Sequence, residues 1–168
     1  MTAALGGFVQ FFIPTHLLAV IAVGFLAGQG GRGRITIMAG ALAVGLAAGS
    51  LAIAFGTGET PATPVLLTMA AMAACLVVAG RGTPATVMMP LVLITGAAVA
   101  LNTPPHEIKL TAAIWAQFGT AVAALITFSL AAELSIRVTR PWQRIGLRIV
   151  GSWIAASAIL VLALRLTR

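Results

Sequence analysis

Along this chain, long apolar runs alternate with short clusters of glycine, proline and charge, and the interval between clusters carries most of the meaning. An α-helix rises 1.5 Å per residue, so about 20 apolar residues cross the hydrocarbon core of a bilayer. The clusters recur at nearly that interval and predict six membrane-spanning helices, at about 5–27, 35–55, 64–79, 83–101, 110–132 and 145–166. The first run stops at Gly28-Gln29-Gly30-Gly31-Arg32-Gly33-Arg34, the second at the segment around Glu59 and Pro61, and the third at Gly80-Arg81-Gly82. Asn102 to Glu107 closes the fourth run, and a basic connector from Glu133 to Arg144 closes the fifth.

Prolines agree with this division. Pro64 and Pro84 fall where a helix begins, and Pro61, Pro104, Pro105 and Pro141 fall in connectors. Pro14 and Pro90 lie inside predicted spans, where each removes a backbone donor, and a kink is expected near both. On the second span Ala41, Gly45 and Gly49 recur every four residues, a stripe that admits the backbone of a neighbouring helix, whether in this chain or in another subunit.

Composition sharpens the class. Of 168 residues, 60% are hydrophobic and 8% charged, and the mean hydropathy is +1.09; a soluble domain carries about a quarter of its residues as charge. The expectation is an all-α protein, one polytopic transmembrane domain over residues 1–168. The net charge of +7 does not indicate nucleic acid, because the basic residues sit in connectors with no basic face and no interleaved aromatics. They report topology and lipid contact instead. Arg32, Arg34, Arg81, Arg137, Arg140, Arg144 and Arg148 fall on one side of the membrane and only Lys109, Arg165 and Arg168 on the other. By the positive-inside rule the first group is cytoplasmic and both termini are periplasmic. Met1-Thr2-Ala3-Ala4 lacks the basic start of a secretory signal, so the first run is expected to stay as a helix. Cys75 is the only cysteine, which excludes an intramolecular disulfide.

Candidate chemistry is sparse. His16 is the one ionisable residue placed midway along a span, beside Thr15 and just after Pro14, which frees the carbonyl of Gln10. Intramembrane ionisable residues mark ligand or ion pathways, or else pin helices together through a hydrogen bond. His106 and Glu107 form an outward pair after two prolines, suited to capturing cations or to being a solvated loop. Met69, Met72 and Cys75 recur at three-residue spacing, with Met38, Met88 and Met89 on other spans; thioether and thiolate select copper(I), while methionine also fills apolar gaps. Arg137, Arg140, Trp142, Arg144 and Arg148 make an interfacial anchor for anionic lipid or a docking site for a partner. With three acids and two histidines, no catalytic set can be assembled and an enzyme is not expected.

Thr15-His16-Leu17-Leu18-Ala19-Val20-Ile21-Ala22-Val23-Gly24, continuing through Gln29-Gly30-Gly31-Arg32, resembles the first-helix signature of the HupE/UreJ family of hydrogenase and urease accessory membrane proteins. Arg148 to Ala156 is similar to the last helix of that family, and Phe118-Gly119-Thr120-Ala121 to the start of a late one. The resemblance implies six helices and transport of nickel, or a related divalent ion, across the bacterial inner membrane. His16 takes the final histidine of the family's first-helix motif, with Thr15 at its aspartate and Val9 at its earlier histidine; Glu107 answers to the glutamate of the second motif, with His106 one place out of register. Two functions stay open: a small divalent-metal permease using His16, His106 and Glu107, or a non-catalytic accessory subunit of a larger membrane complex; the partners expected are membrane lipids and either other membrane subunits or further copies of the chain.

Overall fold

The computed structural model describes residues 2–55, 62–80, 82–103 and 110–167. Those residues form a helical bundle of α1 (Thr2–Gln10), α2 (Pro14–Gln29), α3 (Arg32–Ala54), α4 (Thr63–Ala79), α5 (Ala85–Leu101), α6 (Leu110–Ile136) and α7 (Pro141–Leu166). The all-α expectation holds. Its boundaries shift most in the fifth and sixth runs: α6 continues to Ile136 and α7 starts at Pro141, so Trp142 and Arg144 lie on a helix and not in a connector. Gln143 explains the early start. Its Oε1 accepts from the backbone N–H groups of Thr139 and Arg140 at 3.2 and 3.1 Å, and Pro141 occupies the first helical position, where no donor is needed.

The largest departure concerns the first run. It is two helices, α1 and α2, meeting at 73° across Phe11–Ile13. Pro14 cannot donate to Gln10, and the chain turns there instead of continuing; Pro14 then becomes the first residue of α2. Pro90 behaves differently, since α5 runs through it from Ala85 to Leu101 without a break.

By length and composition, α3, α6 and α7 each suffice to cross a membrane, and the bent pair α1 and α2 makes a fourth candidate. α4 and α5 are apolar but have 17 residues each, about 26 Å of helix, the short limit for a span. The outward faces are apolar as well: Val44, Leu51, Ile126, Leu130, Trp153 and Leu160 are all exposed. An apolar exterior around an apolar core belongs in lipid, and the chain is an α-helical membrane protein in contact with lipid.

Packing places α2 at the centre, against α4, α5 and α6, with α3 pairing with α5, α7 with α4, and α1 with α6. Small residues set these approaches. A Cβ added at Gly45 would run into the Leu93 carbonyl of α5, and one at Gly49 would lie 2.8 Å from Ala100 Cβ. The stripe Ala41, Gly45 and Gly49 therefore serves a contact within the chain, parallel to α5. Gly28 presses in the same way on Ala132 and Ser135 of α6. These pairings leave the starts of α2 and α4 together at one end, and the ends of α2, α4 and α6 with the start of α7 at the other.

Candidate functional site

The break before Pro14 changes where His16 lies. It is in the first turn of α2, level with the first residue of α4 and the residue that caps α5, and so near one end of the bundle, not midway along a span. It is nonetheless completely buried. Phe11, in the break itself, stacks on the imidazole with ring centroids 6.2 Å apart and planes inclined by 19°.

His16 Nε2 lies 2.8 Å from the Asn102 amide nitrogen, and Thr63 Oγ1 donates to Asn102 Oδ1 at 2.6 Å. One hydrogen-bonded chain thus joins α2, α5 and α4. An amide nitrogen only donates, so in this arrangement Nε2 offers its lone pair and the ring proton sits on Nδ1. Turning the carboxamide over reverses every role: Nε2–H donates to the amide oxygen, the amide donates to Thr63, and Nδ1 is left with a lone pair. In both polarities Nδ1 is buried without a hydrogen bond among the described residues. The backbone carbonyls of Phe11 and Gln10 approach the ring as acceptors, short of a well-formed hydrogen bond to Nδ1. Those of Gln10, Phe11 and Phe12 receive no backbone hydrogen bond across the break, because His16 and Leu17 both donate to Ile13.

A second set of polar contacts lies at the same end. Gln117 Nε2 of α6 donates to the Thr103 carbonyl at 2.9 Å, and Ser50 Oγ of α3 lies 3.4 Å from Gln117 Oε1. Thr120 Oγ1 donates to the Gly7 carbonyl at 3.1 Å, fixing α1 to α6. Sequence reading passed over Asn102, Thr63 and Gln117. Asn102 had a usable signal, as the single asparagine of the chain at the end of an apolar run; Thr63 and Gln117 had none until the helices were aligned.

The other candidates separate. His106 and Glu107 lie outside the described residues. Met72 and Cys75 face outward from α4, with Met69 half-buried, whereas Met38 and Met88 are inside the core and Met89 is exposed. Among the described residues no three His, Cys, Asp or Glu side chains come together. At the basic end, Glu133 faces Arg32 at 4.0 Å and Arg137 at 3.9 Å, Trp142 is exposed, and Arg144 and Arg148 line a cavity.

The class defined by this fold is a polytopic α-helical membrane protein with one buried polar chain at a broken helix. Compared with protein-family models, curated proteins and solved structures, the chain matches none.

Proposed function

We propose that this protein is a small divalent-cation permease of the HupE/UreJ kind, in the bacterial inner membrane, with six spans and both termini periplasmic. The observation that carries the reading is the broken first span, where Nδ1 of buried His16 lies beside a turn whose carbonyls receive no backbone hydrogen bond. Broken helices are a means by which a membrane protein offers backbone oxygens to a cation. When the Asn102 amide turns over, Nδ1 supplies a nitrogen lone pair to the same place, and the ring proton is kept on Nε2 by the amide oxygen.

This donor set is leaner than two imidazoles and a carboxylate. It suits passage, which requires binding weak enough to release, better than retention. Nickel, which accepts imidazole nitrogen, is the substrate of choice, and copper is the alternative. The test is metal accumulation in cells carrying His16→Ala. Uptake is expected to fall at least about tenfold for the transported ion, and unchanged uptake of nickel, cobalt and copper overturns the reading.

One observation favours an accessory subunit instead. α7 is anchored mainly on α4 and presents Trp153, Ile159, Leu160 and Leu164 outward, a face available to another membrane protein. Purification in mild detergent separates the two, because stoichiometric partner chains support the subunit and a lone chain with metal-dependent uptake supports the permease.

A further inference from the structure

We infer that the cavity at the basic end is a binding site for a phosphate-ester anion, held by Arg144 and Arg148. The cavity has a volume of about 370 Å³, and its lining includes Gln29 at the end of α2, Gly80 at the end of α4, Ser135 near the end of α6, and Arg144, Leu147 and Arg148 of α7.

Its side-chain charge is one-sided. Ser135 Oγ is already committed to the Phe25 carbonyl at 2.9 Å, and the Gln29 amide donates to the Val77 carbonyl at 3.2 Å. These bonds tie the helices that form the walls. The two guanidinium groups stand one helical turn apart on α7, and neither meets a carboxylate among the described residues; Glu133, the acid at this end, is turned to Arg32 and Arg137. Like charges four residues apart on a helix repel, and an anion set between them relieves that repulsion while supplying acceptors. Guanidinium forks match phosphate oxygens in pairs, which makes a phosphate ester a better fit than a halide.

Glycine makes room for one of the two guanidinium groups. Gly80 ends α4 in the left-handed conformation, with φ of +60°, and a Cβ there would run into the Arg148 guanidinium. The absent side chain is what allows Arg148 to lie over the end of α4, facing the cavity. Trp142, half a turn before Arg144, is 64% exposed; tryptophan at a bundle end settles at headgroup depth. The cavity lies at this same end, within reach of phosphodiester headgroups of lipids and of phosphate esters from solution.

The experiment uses the full-length protein in phosphatidylcholine nanodiscs. Binding is read as retained lipid by native mass spectrometry and as the shift in thermal unfolding, on adding phosphatidylglycerol in one arm and inorganic phosphate with glycerol 3-phosphate in the other. One tightly held phosphatidylglycerol per chain, weakened about tenfold by Arg144→Gln and again by Arg148→Gln, supports the site with lipid as its source. The same losses in the second arm alone support a soluble ester. Arg137→Gln, whose guanidinium faces Glu133, should leave the affinity unchanged. If the glutamine variants do not fold, Arg148→Lys serves, since it keeps the charge but loses the fork and should weaken binding severalfold. No saturable binding in either arm, or equal binding by wild type and the folded arginine variant, overturns the inference.

Discussion

At the end where α2 begins, His16, Asn102 and Thr63 satisfy one another inside the chain; at the end where α2 finishes, Arg144 and Arg148 line an open cavity with no carboxylate beside them. The difference follows from what each group can tolerate. A neutral imidazole, an amide and a hydroxyl have both donors and acceptors, so three helices can close a network with one atom, Nδ1, left over. A guanidinium only donates, and among the described residues neither Arg144 nor Arg148 has a carboxylate beside it. An anion from outside supplies the acceptors and the opposite charge. One end is therefore built to hold helices in register, and the other to meet an anionic environment.

The largest expected effect breaks the frame that keeps the two ends apart. Gly45→Leu forces a side chain into the α5 backbone at Leu93, and overpacking a close helix pair costs about 3 kcal/mol or more. Loss of the folded monomer in detergent, read by size-exclusion chromatography and thermal unfolding, is the expected result; a wild-type profile removes the α3 and α5 contact.

A smaller change tests the closed network. Asn102→Leu leaves His16 Nε2 and Thr63 Oγ1 without their shared partner, a loss of about 1–2 kcal/mol. Adding His16→Leu should restore part of that stability, because removing both members of a buried pair costs less than orphaning one. Strictly additive losses in the double-mutant cycle would show that the two residues do not interact. The smallest effect belongs to the exposed ion pairs of the basic end. Glu133→Gln is expected to shift stability by less than about 0.5 kcal/mol, since Arg32 and Arg137 meet it at 4.0 and 3.9 Å in largely solvated positions. A larger loss would mean that this end is also held together from within.

The apolar runs and their glycine and proline breaks determined, without any coordinates, that the chain is a helical membrane bundle, because backbone groups in lipid must be satisfied within their own segment. Ala41, Gly45 and Gly49 likewise announced a close helix approach. Which helix approaches is a question of three-dimensional pairing, and the answer, α5, needed the fold. His16 was legible as the odd residue of the first run, but its surroundings were not. Pro14 could have kinked a continuous helix or ended it, and the choice depends on whether the rest of the bundle accommodates a separate α1; here Gly7 and Gly119 let α1 lie against α6. That tertiary contact moved His16 from the middle of a span to a helix start beside Asn102 and Thr63, residues 86 and 47 positions away in the chain. Hydrophobic periodicity is local and survives in the sequence; hydrogen-bond partners brought together from distant helices do not, and only the packed structure decides them.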